Sequence, residues 1–520
     1  MLSTIKSLKS CVLYLVSSKK LLSFKLQLNP VKPMAEEQGH FKRELKLFDA
    51  VMMVAGTMIG SGIFIVSTDI ARNVGSSGYL LLVWVLTGFM TIVGALAYGE
   101  LAGMMPKAGG QYVYLREAYN HLVSFLYGWT LFLVIQTGTI AAVGVAFARF
   151  TGVLIPWFSE TNVLLEIGNF KFTSVQLLAI SCIAFLTFLN SRGVKNGKMI
   201  QNIFGSTKIL ALFGLIAIGL LFGINEEVVQ QNFSNMWNAK ATVVDNGVVT
   251  SISSLAGWGL IAAIGMAMVG SLFSSDAWNN ISFSGDEVVN PEKNITRSMV
   301  IGTMLVTGIY LLVNLVYLLV LPLKGSPEGT DVLSKGIQFA NNDRVATAVA
   351  YAVGGGKATI VIALLIMVST FGCINGCILS GARVYYAIAK DGLFFRPMAK
   401  LNPKGVPANA LWLQGLWAAL LCLSGTYGNL LDYVIFAVLL FYILTIAGVY
   451  ILRKKRPDAP RPYKAVGYPV LPAMYIFLAG SICLILLIYK PNYSWPGLII
   501  VALGIPVYYL FRNTIRGSKV

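Results

Sequence analysis

Three groups of residues have the types and spacing to do chemistry, and each lies inside an otherwise apolar run. They are Gly56-Thr57-Met58-Ile59-Gly60-Ser61-Gly62-Ile63-Phe64, then Gly205-Ser206-Thr207-Lys208-Ile209-Leu210, then Phe273-Ser274-Ser275-Asp276-Ala277-Trp278-Asn279. The glycines and serine of the first favour an unwound stretch, whose amides near a helix N-terminus would face an anionic group. The same small residues would also let two helices pack closely. Asp276 is the sharpest signal, because an acid at mid-membrane costs roughly 2.5–3.5 kcal/mol and is normally paired, neutralised or open to an aqueous pocket. Read alone, it also fits a protonated or helix-capping carboxyl. An ammonium at Lys208 could replace a sodium ion by donating to carbonyls freed in the first group, or serve as a proton site. A lysine about two turns into a span could equally snorkel to the interface.

Other chemistry is scarce. His40 and His121 are the only histidines, and neither falls in an apolar run, which argues against a histidine metal site or a catalytic triad. No GxxxxGK[ST] pattern occurs, since Gly193 to Lys198 has the wrong spacing for a phosphate-binding loop. Neither a cofactor nor a metal is expected.

These groups need long apolar elements to position them, and the composition supplies them. Of 520 residues, 56% are hydrophobic and 12% charged, with a mean hydropathy of +0.72. A soluble protein carries roughly 25% charged residues, so most of this surface faces lipid. The chain reads as an all-α polytopic membrane protein with about twelve spans near 47–70, 79–104, 122–150, 174–190, 201–223, 254–283, 298–321, 358–389, 408–424, 430–452, 470–490 and 495–511. Disorder and a soluble enzyme are excluded.

The net charge of +18 does not point to nucleic acid, because the basic residues lie in short loops between spans. One alternate set carries Arg192, Lys195 and Lys198, then Lys390, Arg396, Lys400 and Lys404, then Arg453 to Arg456, Arg461 and Lys464. The opposite set is sparse, with Glu226 and Glu227 after the fifth span. The positive-inside rule then puts both termini in the cytoplasm of a cell-membrane protein. Cys182, Cys373, Cys377, Cys422 and Cys483 lie in apolar stretches and Cys11 stands alone, which implies no disulfide framework. Residues 1–44 form an N-terminal arm, of which 1–33 lack a convincing cleavage site; Met34 offers a second start that leads directly into the first span.

The interrupted first and sixth spans are five apart, and an odd-numbered unit repeated in sequence places its copies in opposite orientations. Inverted repeats over 45–223 and 254–452 follow, with two spans over 470–511 appended and a tail over 512–520. Paired broken helices in two such halves mark a substrate site near the midplane. Unwound amides could hold a carboxylate and unwound carbonyls an ammonium, which is the complement of a zwitterionic amino acid.

At these residues the sequence resembles the amino acid, polyamine and organocation transporters, and within them the L-type amino acid transporter family. The likeness runs from about Leu45 to Tyr509. It rests on GTMIGSGIF in span one, on Pro106-Lys107-Ala108-Gly109-Gly110-Gln111-Tyr112-Val113-Tyr114, and on the fifth-span lysine. It also rests on Glu287 with Asn290-Pro291-Glu292-Lys293-Asn294, on Ser369-Thr370-Phe371-Gly372 with Asn375-Gly376, and on Arg461-Pro462-Tyr463-Lys464. The resemblance implies a LeuT-like 5+5 fold with broken helices one and six that exchanges amino acids by alternating access. It further implies that Gly60, Ser61 and Gly62 hold the substrate carboxylate and that Phe273 gates the pocket. Carbonyls around Phe273, Ser274 and Asp276 would receive the amino group, Lys208 would stand where sodium-coupled relatives bind their ion, and Ser369 would help position it.

Two departures bear on that expectation. Thr151 to Thr173 lacks the cysteine with which animal members join a glycoprotein heavy chain, so a lone, bacterial-type transporter without a disulfide-linked partner is expected. Asp276 replaces a small residue common in the family, as in some members that accept cationic amino acids. A proton-coupled symporter using Lys208 is the sibling reading. A polytopic membrane enzyme is the alternative from another class, though Asp286 and Glu287, its candidate carboxylates, read better as the charged end of span six.

Overall fold

The computed structural model describes residues 43–517, apart from 108, 169, 246–247 and 424–426. Residues 1–33, Met34, His40, Ala108, the last three residues of the tail and the side chains of Lys195 and Lys198 lie outside the described residues.

A helix covers each expected span, but not always with the expected length. The first apolar run is cut. Helix α1, Leu47–Met58, starts with the Lys46 amide donating to Asp49 Oδ2 at 3.0 Å and stops where Gly60-Ser61-Gly62 begins. A single tight turn, Gly62–Phe64, then leads to α2, Ser67–Val74. The next elements are α3 Ser77–Met104, a short α4 Gln111–Ala118, α5 His121–Leu154, α6 Ser174–Ser191, α7 Val194–Phe222 and the short α8 Glu226–Phe233. The sixth run is cut like the first: α9, Gly257–Ser274, ends before Asp276, and a 3-10 stretch, Trp278–Glu287, carries the chain onward. After it come α10 Pro291–Val320, α11 Val345–Lys390, α12 Ala408–Leu421, α13 Tyr427–Lys455, α14 Val470–Tyr489 and α15 Pro491–Phe511.

Ten helical segments among the described residues are long and apolar enough to cross a membrane, and α1 and α12 are shorter apolar helices at the expected first and ninth spans. With 14 residues, α12 rises about 21 Å, less than the roughly 30 Å hydrocarbon core. It packs against α5, α6 and α11, which cover what it cannot span alone.

Three departures from simple spans have physical causes. Helix α11 begins before residue 358, at Val345, and bends at Gly354 and Gly355, where Gly355 adopts φ +63° that a side-chain-bearing residue resists. Helix α5 contains a wider π turn over Leu131–Ile135, a local irregularity typical of functional sites. The chain is also not wholly helical: β1 Val163–Ile167 pairs antiparallel with β2 Phe170–Thr173, and β3 Lys240–Asp245 with β4 Val248–Ser254. These hairpins are built from β-branched and aromatic residues in the connections, where no apolar helix competes.

Helices α3 and α10 form one of the closest seams in the bundle. A Cβ at Gly88 would come within 2.3 Å of Thr307 Cγ2, so the small residue is what permits this approach. Helix α10 thereby reaches both breaks.

Ion pairs lock the end of the bundle that carries the basic loops. Glu100 of α3 is buried and accepts from Arg453 Nη2 at 2.6 Å, Arg453 Nε at 2.9 Å, Arg461 Nε at 3.2 Å and the Ala465 amide at 2.8 Å. Arg116 and Tyr112 of α4 both meet Asp391, at 2.6 and 2.8 Å, and Glu117 pairs with Arg456 at 2.6 Å. Burial would push the Glu117 carboxyl up, but the hydrogen bond and charge of Arg456, with Arg116 alongside, hold it below the usual carboxylate range. Within the bundle, Arg383 of α11 meets Glu287 at 2.6 Å. The opposite end is tied by Lys490 to Asp432 at 2.8 Å and by Arg72 to Asp343 at 2.8 Å.

Candidate functional site

The last carbonyls of α1 have no partners within the helix, so something else must satisfy them inside an apolar bundle. Side chains from three other helices do so in succession. Lys208 Nζ donates to Gly56 O at 2.5 Å and to Ile59 O at 2.8 Å, and Cys373 Sγ lies 3.0 Å from Thr57 O. Tyr310 Oη donates to Met58 O at 3.2 Å, and Ser369 Oγ to Ile59 O at 3.2 Å. Lys208 is 1% exposed and does not reach for the interface.

The second break comes up against the first. A Cβ on Gly62 would fall 2.0 Å from Ser274 Oγ and 3.0 Å from Ser274 Cα, so only glycine admits this approach. Tyr310 bridges the two, since its hydroxyl also donates to Ser274 O at 3.0 Å. Thr57 Oγ1 reaches across to Ala277 O at 3.3 Å. Ala277 itself takes φ +65°, a left-handed conformation uncommon for a residue with a Cβ and characteristic of strained functional segments. Gly60, Ser61, Gly62, Phe273 and Ser274 are all buried at this junction, while Asp276 is half-buried beside it.

Asp276 turns its carboxylate toward α13, where Tyr442 Oη donates to Oδ1 at 2.6 Å. The Tyr442 ring continues into a buried aromatic group, with Trp278 at 5.4 Å and Tyr98 at 5.7 Å between centroids. Asp276 and Tyr442 together form a wall between two cavities. One, a cavity of about 20 Å³, lies among α4, α5, the 3-10 stretch, α11 and α13, with Gln111, Gln136, Asn279 and Asn280 set among apolar side chains. The other, smaller at about 10 Å³, is bordered by Met90, Leu272, Trp278 and Tyr475. A cavity of about 20 Å³ holds roughly one water, so a larger ligand enters only when its walls part.

A third element closes the site from the α4 side. Gly109 and Gly110 have φ of +101° and +40°, and a Cβ on Gly110 would lie 2.3 Å from Ser282 Oγ, so this glycine pair makes a turn that other residues would not fit. It delivers Gln111 into the bundle. There its Nε2 donates to Thr445 Oγ1 at 2.9 Å, and its Oε1 accepts from Asn279 Nδ2 at 3.0 Å.

Every residue singled out from the sequence therefore lies at or beside the paired breaks: Gly60, Ser61 and Gly62 in one, Phe273, Ser274 and Asp276 in the other, and Lys208 and Ser369 on the first one's carbonyls. Sequence reasoning missed Tyr310, Tyr442, Cys373 and Gln111. Tyrosines within apolar spans look like ordinary core. The polar pair Tyr310 and Asn314, one helical turn apart, was the available signal for α10. Among the described residues, no group of three or more His, Cys, Asp or Glu side chains is placed to hold a metal ion.

With this geometry in view, the similarities of the chain are specific. The pattern of the family described as "Amino acid permease" matches residues 45–511. The human protein named "Large neutral amino acids transporter small subunit 2" is 30% identical over 470 residues, covering 90% of this chain and 80% of that protein. The mouse "b(0,+)-type amino acid transporter 1" is 29% identical, covering 90% and 88% respectively. The human "Asc-type amino acid transporter 1" is 30% identical over 483 residues, covering 92% and 84%.

Proposed function

Because the chain belongs to the amino acid permease family, whose members it matches nearly end to end, we propose that it moves amino acids by exchange through alternating access. The transport of amino acids, rather than an enzymatic reaction, follows from its relatives; the exchange is our reading. The observation that carries it is the double engagement of the first break by Lys208 and its close approach to the second break at Ser274. Backbone groups lie unwound at mid-helix, and a tethered ammonium stands where a dissociable cation would otherwise be needed.

In this reading Gly60, Ser61 and Gly62 present amides to the substrate carboxylate, and carbonyls around Phe273, Ser274 and Asp276 receive its ammonium. Phe273 closes over the pocket, and Lys208 with Ser369 holds the first break in shape. The two breaks belong to inverted repeats over 45–223 and 254–452. The basic end faces the cytoplasm, both termini with it, in the cell membrane. The relatives named small subunit work within larger assemblies, as that name says; this chain works without a disulfide-linked heavy chain, because Thr151 to Thr173 offers no cysteine.

The deciding experiment is uptake of labelled alanine and arginine into proteoliposomes, empty or preloaded with unlabelled amino acids, with no ion gradient. Exchange predicts uptake that depends on preloading. Equal equilibrative uptake into empty vesicles would refute it. The buried ammonium of Lys208 favours one second reading, a proton-coupled symporter, which would show uptake into empty vesicles driven by an inward proton gradient.

Asp276 sets the preference among substrates in this scheme. A carboxylate bordering both cavities can accept from the cationic end of a lysine or arginine. Asp276→Gly is expected to lower arginine uptake relative to alanine by about tenfold or more, the worth of one hydrogen bond to a charged group. Equal effects on both substrates would remove Asp276 from side-chain selection and leave it the common amino group.

A further inference from the structure

Among the described residues, the cavity beside Asp276 is lined by one fully buried side-chain atom that the protein itself does not satisfy. Of its polar lining, Gln136 Nε2 donates to Cys377 O at 2.7 Å and Thr139 Oγ1 to Ile135 O at 2.8 Å. Gln111 and Asn279 bond each other, as described above, and Asp276 receives Tyr442. Asn280 is different. It is 3% exposed, it lines the same cavity, and its Nδ2 has no hydrogen-bond partner.

A buried amide nitrogen without a partner is costly, and native proteins rarely retain one without a use. Asn280 sits four residues beyond Asp276, across the left-handed residue Ala277, in the segment that the second break holds out of regular helix. Its amide plane is anchored by no bond to the rest of the bundle, so it can turn either its N–H or its carbonyl toward a ligand. Asp276, on the same cavity, can only accept while it is ionised. The pair thus offers a fixed acceptor and an adaptable donor. The second cavity, behind Tyr442, is bordered mostly by apolar and aromatic side chains.

We propose that this cavity receives the side chain of the transported amino acid and that Asn280 selects side chains able to hydrogen-bond, with a carboxamide as the best complement. The carboxamide oxygen takes the Asn280 N–H while its NH2 donates to Asp276. An aliphatic or thioether side chain of the same length takes the same place but leaves Asn280 unsatisfied. Discrimination of this kind is strong when a site's own polar group would otherwise be stranded. The inference rests on the amino acid transport proposed above and adds a specificity-determining residue to it.

Glutamine and methionine, similar in length and opposite in hydrogen-bonding capacity, are the probes. In exchange-loaded proteoliposomes the unaltered protein is expected to have a KM for glutamine at least about tenfold below that for methionine. Asn280→Leu, near in size and apolar, should bring the ratio of the two KM values close to one by weakening glutamine and improving methionine. Asn280→Ala serves the same purpose if the leucine variant does not fold, and Asn280→Ser, which keeps a hydroxyl, should give an intermediate ratio. A glutamine-to-methionine ratio that is the same in the unaltered protein and in the leucine or alanine variant would overturn the proposal, as would an unaltered protein indifferent to the two. Failure of the unaltered protein to take up any amino acid would instead refute the transport reading itself, a result separable from the ratio.

Discussion

Lys208→Ala is expected to reduce exchange by about a hundredfold or more while leaving the protein inserted and folded. The ammonium makes two charge-assisted hydrogen bonds to the first break, each worth roughly 1.5–3 kcal/mol, and their loss leaves Gly56 O and Ile59 O without it in a buried setting. Ser369 would still hold Ile59 O, and Tyr310 would still hold Met58 O, so the break loosens rather than collapses. Lys208→Arg should not restore activity. A Cβ at Gly372 would already lie 3.5 Å from Lys208 Nζ, which leaves little room for a planar guanidinium in place of a compact ammonium. Initial rates in preloaded vesicles and amino acid-dependent thermal stabilisation in detergent would be measured together. Unimpaired exchange by the alanine variant would remove Lys208 from the mechanism.

The second large effect concerns stability rather than rate. Arg383 and Glu287 are buried at 5% and 6% side-chain exposure and pair at 2.6 Å, with the arginine also donating to Leu379 O. The Glu287 carbonyl additionally accepts from the amides of Glu44 and Leu45, at 2.9 and 3.0 Å, so this one residue ties the approach to α1 to the end of the second broken segment. Arg383→Met strands the carboxylate in the bundle and should destabilise by about 3–5 kcal/mol. Glu287→Gln strands the guanidinium with a similar cost. The double variant should lose markedly less than the sum of the two, because neither charge is then left alone. Thermal unfolding of the four proteins in one detergent tests this. Strictly additive losses, or single variants as stable as the parent, would show that the pair contributes little.

How much of this was legible in the sequence depends on the kind of signal. The two breaks were visible because glycine, serine and an acid stand out against a leucine-rich background. Lys208 was visible for the same reason, though its two roles, interfacial or central, differ only in where the side chain ends, and that depends on the packing of α7 beside α1. Tyr310 and Tyr442 were invisible because an aromatic residue in an apolar span is what a packed core ordinarily contains. Their hydroxyls acquire meaning only through partners 252 and 166 residues away in the chain. The kink at Gly354 and Gly355 and the two hairpins escaped a search for long apolar runs, since each is decided within a few residues. The glycine pair before Gln111 was recognisable as a motif, but what it delivers, a glutamine inserted beside Asn279, was not.

The tethering of Lys208 to the first break has a consequence for the electrical behaviour of the carrier. A cation supplied by the chain does not leave with the cargo, so it adds no net charge to what crosses the membrane in a cycle. On the exchange reading, trading one zwitterionic amino acid for another is then electroneutral and indifferent to the membrane potential. Trading a cationic amino acid for a zwitterionic one moves a full charge, which the potential drives by about 2.3 kcal/mol per 100 mV. Direction would therefore be set by the charge of the two cargoes, with the cell's voltage favouring inward movement of whichever is more positive.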